Sequence, residues 1–493
     1  MGETAPELAK GSIGLLGLTI ISMAGILAII GPMEVAPFIS SAGPAAIWPV
    51  IVGFILFLIV SLPILEYTKL TPFAGGYYGL AELGFGRAMG KYTATTNYVF
   101  YLLWQMTNAF AMPAILMNAL YLLYGIMLPI WAWLLISALT LGITNGISSL
   151  HVKNLSKVLV IITIITTVIV AAFTIYVIAR SPFNSFYFLN PLNSYSGFTG
   201  IATGTAIYGF FLYVGYGSTL FYSEEAKHGR RDVWRAVYLS LGISTVVIAL
   251  AAYSELVSVP MSQFSTITSS TLPMMVTWIH YIPASFLLGL TILVVLISMV
   301  SFGAGGGSQS RLMWSMARDK FIDVAWLRKL NKSKVPVNAI IFQLLVSFIM
   351  VLIVAFSMVK IYGYSISTVT TAWFLGGAAG TIVWYFHHFI PEFGLFPYLR
   401  KHKEIKYSIG RRWIIGLIIP IAGTALFIYT FYVGIISDLV EPYFAFLIAD
   451  VIVLVMLAFF VYYKAKKKAL GDSVVSYMAA EAEKIPLSNE KEQ

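Results

Sequence analysis

In a chain of 493 residues that is 59% hydrophobic and only 11% charged, the groups able to do polar chemistry deep inside are backbone amides freed by glycine and proline. Two stretches supply them. The first reads Ile29, Ile30, Gly31, Pro32, Met33, Glu34, with Ala24-Gly25 before it and Pro37 after it. Pro32 lacks an N–H and clashes with the preceding turn, and Gly31 is free to take an unusual φ, so a break is expected near Gly31. The second runs from Tyr208 through Tyr213, Val214, Gly215 and Tyr216 to Ser218, with glycines at 209, 215 and 217. A break leaves N–H groups free at the positive end of one half-helix, where a carboxylate is held. The facing half ends in free carbonyls, which suit an ammonium or a metal cation. A dipolar molecule therefore matches two such segments without any charged side chain. A simple proline kink accounts equally for the first stretch, and close packing through small residues for the second.

Few side chains add to this. Glu34 falls in or just past the first break, and an ionisable group at that depth is a functional candidate by default. Its readings are proton carrier, coupling site or partner of a cationic substrate, against a residue near the outer interface. Asp450 falls mid-helix near the C-terminal end. Glu255, Asp438 and Glu441 are expected at solvated outer ends, and His387-His388 at an inner helix end. Tyr213 and Tyr216 adjoin a break, and Trp373 precedes Gly376-Gly377, so these three are the aromatic candidates for a cavity wall. There is no cysteine, which excludes disulfides and thiolate chemistry. No metal-ligand spacing and no nucleotide-binding glycine motif occurs, so no metal site, no cofactor and no hydrolysis is expected. A membrane enzyme would need a nucleophile, an acid–base pair or a metal cluster at one depth. A channel would repeat a pore motif or a charged ring.

The elements that position these residues are transmembrane helices. A soluble domain of this length carries roughly 25% charged residues, and a bilayer core of about 30 Å needs about 20 helical residues. The apolar pattern predicts an all-α integral membrane protein with twelve spans, at 13–41, 45–68, 92–124, 129–149, 155–180, 200–224, 234–259, 282–311, 336–358, 365–390, 413–437 and 442–463. The first is about 43 Å long at 1.5 Å per residue, too long for an uninterrupted crossing. With the N-terminus inside, only Arg180 and Lys360 of 31 basic residues fall outside, the asymmetry of the positive-inside rule. Both termini are therefore expected in the cytoplasm of a multi-pass cell-membrane protein. The net charge of +10 belongs to cytoplasmic loops beside lipid, not to nucleic acid. Residues 1–12 and 464–493 read as cytoplasmic tails, the second mobile or amphipathic after Lys468. Spans 1 and 6, both broken, hold matching places in two five-helix halves, which is a sequence pointer to a transporter site.

Four motifs, in order along the chain, strengthen this. Leu65-Glu66-Tyr67 is followed by Thr71-Pro72-Phe73-Ala74-Gly75-Gly76-Tyr77-Tyr78. Span 6 ends Ser223-Glu224-Glu225-Ala226-Lys227. Ser310-Arg311 leads to Ala317-Arg318-Asp319-Lys320, and Val335-Pro336-Val337-Asn338-Ala339 follows. Together they resemble the amino acid–polyamine–organocation (APC) permease superfamily. The resemblance implies a five-plus-five inverted repeat with broken helices 1 and 6. It places a ten-helix core at 13–390, with repeats at 13–180 and 200–390, and two further helices at 413–463. It implies secondary active transport of amino acids or related amines by alternating access, as symporter or exchanger, with a non-transporting sensor or channel on the same fold as the alternative. Substrate would meet Ile29, Ile30, Gly31 and Pro32, then Tyr213, Val214, Gly215 and Tyr216, with Trp373 nearby. Where some members carry a coupling lysine on helix 5, this chain has Thr166. Thr166, Ser298 and Ser301 are thus oxygen ligands for Na+, or ordinary backbone-bonded hydroxyls, and H+ or Na+ is the coupling partner. By the same resemblance Glu66, Glu224, Glu225, Arg311 and Arg318 look like an inner ion-pair network that locks or releases an inward gate, against an ordinary interfacial network. Helix 12 is the expected surface for any homo-oligomer.

Overall fold

The computed structural model describes residues 8–26, 35–70, 73, 75–209, 211–403, 405, 407–436 and 441–474. Glycines and prolines divide the chain into its elements. α1 (Leu15–Gly25) and the short α2 (Ala36–Ala42) lead into α3 (Ile47–Leu70) and α4 (Tyr77–Phe85). Then come α5 (Arg87–Tyr124), α6 (Ile130–Ser148), α7 (Val152–Arg180) and α8 (Phe198–Gly204). After α9 (Gly229–Ser258) come the turns α10 (Phe264–Thr268) and α11 (Pro273–Trp278), then α12 (Ala284–Ser301) and α13 (Gly303–Arg318). The chain closes with α14 (Val337–Tyr362), α15 (Ile366–Lys401), α16 (Ile409–Trp413), α17 (Ile419–Phe431) and α18 (Tyr443–Lys466). Among the described residues, ten helical stretches are long and apolar enough to cross a bilayer, and Leu15–Gly25 and Phe198–Ile207 are shorter apolar pieces. The protein is therefore an all-helical, multi-span membrane protein of about twelve helices, as its composition requires.

Both described ends lie on one face. Leu8 packs on Trp314 and Leu330, Ile13 bridges Ala226, and the Asp472 amide donates to the Asp319 carbonyl at 2.6 Å. The segment after Lys468, expected to be mobile or amphipathic, is docked as far as Val474. The Ser473 hydroxyl donates to Glu82 at 2.6 Å, the Arg87 guanidinium donates to the Gly471 carbonyl at 3.1 Å, and Val474 is fully buried.

Two helices extend beyond their apolar composition. α13 (GAGGGSQSRLMWSMAR) is polar by sequence, yet all sixteen of its residues are buried. Its glycines let neighbours touch the backbone: a Cβ on Gly305 would lie 2.3 Å from the Trp104 ring, and one on Gly307 2.1 Å from the Tyr222 hydroxyl. α15 continues to Lys401 through Pro391 and Pro397, well past the position 390 where its apolar pattern stops. His387 and His388 are accordingly buried within the helix, not at an inner end. Glu255, expected in solvent, is also fully buried.

Polar groups fasten the helices. Gln105 of α5 donates to Gln309 of α13 at 2.5 Å and accepts from Asn145 of α6 at 2.8 Å. Gln343 of α14 donates to Asn145 at 2.7 Å. Four helices are thus linked by side-chain amides, which in hydrocarbon contribute about 1 kcal/mol each or less. α18 sits at the edge, with Val451, Val455, Met456 and Phe459 exposed.

α4 and α15 cross through glycine. A Cβ on Gly84 would stand 2.3 Å from the Gly394 Cα, backbone that has nowhere to go. Gly84→Leu should destabilise the fold by about 1–3 kcal/mol through overpacking. It should lower the thermal unfolding midpoint in detergent, and an unchanged midpoint would show that this crossing is not tight.

Candidate functional site

The helix 1 and helix 6 interruptions meet at bare backbone. α1 ends at Gly25, with the Ile26 amide bonded to the Ser22 and Met23 carbonyls. Ile29, Ile30, Gly31, Pro32 and Glu34 lie outside the described residues. Helix 6 is in pieces: α8, a π-helical turn at Thr205–Gly209, a 3-10 turn at Phe211–Tyr213, and a 3-10 segment at Tyr216–Glu225. Between the last two, Gly215 has φ +107°, a conformation that side chains disfavour. A Cβ on Gly25 would lie 2.2 Å from the Gly215 carbonyl oxygen, and one on Gly215 would lie 2.1 Å from that of Gly25. On Gly209 a Cβ would meet the Pro49 carbonyl at 2.4 Å, and on Gly217 the Tyr77 hydroxyl at 1.8 Å. The glycines of helix 6 therefore serve close packing and interruption together; the two readings of that stretch are one.

Hydroxyls cover the freed backbone. Ser22 donates to the Tyr216 carbonyl at 2.9 Å and meets Ser240 at 2.6 Å. Ser218 donates to the Gly215 carbonyl at 2.8 Å, and Ser308 of α13 donates to the Ser218 carbonyl at 3.0 Å. Tyr213 and Tyr216 are both fully buried but diverge. Tyr213 donates to the Val50 carbonyl at 3.1 Å and accepts from Thr245 at 2.9 Å, facing α3 and α9. Tyr216 points to α15, its hydroxyl 2.8 Å from His388 Nε2. Val214, half-buried, sits between them at the turn. Trp373 stacks on Phe374, and it stands about 22 Å along α15 from His388 at 1.5 Å per residue. The aromatic joining this group from α15 is Trp384, whose ring is 4.3 Å from that of His388.

The coupling candidates differ in their bonding. Thr166 donates to its own helix, to the Ile162 carbonyl at 2.9 Å. Ser298 and Ser301 are buried on α12 with hydroxyls that find no hydrogen-bond partner among the described residues.

Four of the five gate candidates fall into two separate pairs. Arg311 holds Glu225 with two hydrogen bonds, one of them at 3.0 Å, and lies 4.0 Å over the Tyr222 ring. Arg318 holds Glu224 at 3.3 Å through both terminal nitrogens. These pairs tie the end of helix 6 to α13. Glu66 joins neither; it bonds Lys69 at 2.8 Å, Arg411 at 3.0 Å and Tyr407. Burial and that bond to Glu66 push the Tyr407 hydroxyl above its ordinary pKa. Lys91, which no motif drew attention to, is fully buried against Asp319 and 3.7 Å from Glu82. Burial raises the Asp319 carboxyl, and the Lys91 ammonium acts against that rise. No signal marks Lys91 in sequence, because it reads there as one more basic residue just before the span at 92–124, whereas the structure places it inside α5.

His388 and Glu392, four residues apart on one helix face, were legible only had the helix been carried past residue 390. Among the described residues no group of three metal-ligating side chains occurs.

Arg311 and Glu225 are buried together, and removing one partner of such a pair costs about 3–5 kcal/mol because the other charge is stranded. Arg311→Met should therefore unfold or inactivate the protein in detergent. Arg311→Met combined with Glu225→Met should recover most of the lost thermal stability. A double variant no more stable than the single one would show that the pair is not the unit of stabilisation.

A family model for amino acid permeases matches residues 12–461. A branched-chain amino acid permease, BcaP of Lactococcus lactis subsp. cremoris (strain MG1363), is 26% identical over 327 residues, which is 61% of this chain and 66% of that protein. With its interrupted helices packed glycine to glycine and the match running from the start of α1 almost to the end of α18, the chain belongs to the amino acid permease family, a family of transporters rather than enzymes.

Proposed function

We propose that this protein carries amino acids across the cell membrane as a secondary active transporter, by alternating access around the helix 1 and helix 6 interruptions. The observation that supports it best is the backbone contact of Gly25 with Gly215, at the point where both helices lose regular geometry. Irregular backbone inside a bilayer is tolerated where it is buried in protein or lines a cavity, and the segment starting at Tyr216 offers the free N–H groups that a substrate carboxylate takes. Carbonyls at the end of α1 suit the substrate ammonium. The described side chains around the turn are apolar, aromatic or hydroxyl-bearing, so a neutral amino acid fits better than a charged one, and the name of the Lactococcus relative puts branched-chain amino acids first among those to try. The core is residues 13–390, in two repeats at 13–180 and 200–390, with helices 11 and 12 outside it. The face bearing the termini and the basic loops is cytoplasmic, following the positive-inside rule. Glu225–Arg311 and Glu224–Arg318 lock that face until the second half of helix 6 moves. Transport is cation-coupled or an exchange.

Labelled amino acids offered to sealed proteoliposomes should show saturable uptake, and preloaded vesicles should show counterflow. Gly215→Leu places a side chain where φ is +107°, at a strain of about 1–3 kcal/mol, and drives it into the Gly25 carbonyl. It should lose counterflow by about tenfold or more while still folding into the detergent micelle. Normal counterflow in this variant would place the site elsewhere.

A further inference from the structure

α15 buries two titratable side chains for which the transport cycle above has no use. His388 and Glu392 are both 0% exposed, and His388 Nδ1 lies 2.8 Å from Glu392 Oε1. On its other side His388 Nε2 is 2.8 Å from the Tyr216 hydroxyl. Neither Glu392 oxygen has a hydrogen-bond partner among the described residues, and His388 is the side chain in ion-pair range of it. The surroundings are aromatic: Phe57 stands edge-on to Tyr216 at 5.1 Å, and the Trp384 ring lies 4.3 Å from that of His388.

The remaining titratable groups nearby are neutral in character and come from every side. α4 contributes Tyr77, whose ring is 5.4 Å from that of His388 and which faces Tyr101 of α5. On the α3 side the Tyr67 hydroxyl lies beside Gly394, two residues past Glu392, and α9 contributes Tyr238, facing Tyr216. On α15 itself, His387 is 3.2 Å from the Val383 carbonyl. α17 presents Phe427 to Trp384. Among the described residues no lysine or arginine pairs with Glu392, and the bonds of the pair reach no group of α14, α16 or α18.

A bare carboxylate in such a place is costly, even with the neutral imidazole turned to donate its Nδ1–H to Oε1. One further proton removes that buried charge. Either Glu392 is a carboxylic acid donating to Nδ1 while Nε2–H donates to the Tyr216 oxygen, or an imidazolium sits between carboxylate and phenol. Both forms hold one proton and no net charge. Loss of that proton leaves a neutral imidazole beside one buried negative charge, which water reaching the pair would stabilise.

We propose that His388 and Glu392, reached through the Tyr216 hydroxyl, are the site that takes up and releases the proton coupled to transport. The proposal rests on the transport reading above and adds to it the identity of the coupling ion and where it is carried. The proton enters from the side of the helix 6 turn, because Tyr216 stands one residue beyond Gly215. It leaves when water reaches α15 from the face that bears the termini. Tyr216 belongs to the backbone that would hold the substrate, so the charge state of the pair acts on the substrate site directly.

The test uses purified full-length protein in liposomes with the membrane potential clamped at zero, and labelled leucine or whichever panel amino acid the wild type takes up fastest. One proton per neutral amino acid predicts about tenfold accumulation per inward pH unit. Glu392→Gln should abolish that accumulation and make counterflow independent of pH, with a counterflow rate within about threefold of wild type. Accumulation by Glu392→Gln equal to wild type would overturn the assignment, as would wild-type accumulation indifferent to the proton gradient. Absence of counterflow by the wild type for every panel amino acid sinks the transport reading instead, so the two failures are distinct. If Glu392→Gln does not purify as a folded species, the double variant His388→Gln with Glu392→Gln carries the same expectation and the same refutation.

Discussion

Backbone that leaves a helix inside hydrocarbon must have its amides covered, and that constraint organises the molecule around the meeting of Gly25 and Gly215. Each glycine occupies the space that the other's Cβ would need, so α1 and helix 6 touch main chain to main chain. Close contact leaves few backbone groups facing lipid, and small hydroxyls do the rest: Ser22, Ser218 and Ser308 bond the carbonyls of Tyr216, Gly215 and Ser218. No charged side chain is needed to stabilise the interruption. That leaves its dipole ends available to a molecule that can later leave, which a resident lysine or aspartate would oppose.

Most of the paired charge lies on one face. Glu225 with Arg311, Glu224 with Arg318, and Glu66 with Lys69 and Arg411 all lie where the described termini meet the bundle. Buried pairs of this sort contribute little net stability but are expensive to split. A network with that property favours two arrangements, joined or fully separated, over intermediate ones. The docked segment up to Val474 adds a cover over Glu82 and Asp319 on the same face.

Much of this was legible in the residues. Span number followed from hydropathy and loop charge, and the helix 6 interruption followed from Gly209, Gly215 and Gly217. The motif residues Glu224, Glu225, Arg311 and Arg318 do meet, because both acids stand at the end of one element and both arginines seven residues apart on one buried helix. What failed to show had a common cause: composition reports polarity, whereas helices continue for reasons of packing. α13 is polar yet buried on every side, so the apolar pattern ends its span at residue 311 while the helix runs on to Arg318. α15 runs through two prolines, and stopping it at residue 390 hid the partnership of His388 with Glu392. Which acid pairs with which base was also out of reach, since Glu66 and Glu225 have the same chemistry and differ only in the neighbours that the fold supplies.

The segment Tyr216–Glu225 explains how such separate features could act together. It is ten residues of 3-10 geometry, about 20 Å long at 2.0 Å per residue, with Gly215 as a flexible joint at its start. Its first residue supports the backbone proposed to bind substrate and, through its hydroxyl, contacts the His388–Glu392 pair. Its middle is bonded to α13 by Tyr222 donating to the Ala304 carbonyl at 2.8 Å and by Ser308 donating to the Ser218 carbonyl. Its last two residues hold Arg318 and Arg311. A rigid piece with those attachments cannot swing about Gly215 without straining the ion pairs at its far end, nor can those pairs part without shifting Tyr216. In the proposed cycle, substrate, proton and gate are therefore linked by one lever, and no relay through distant helices is required.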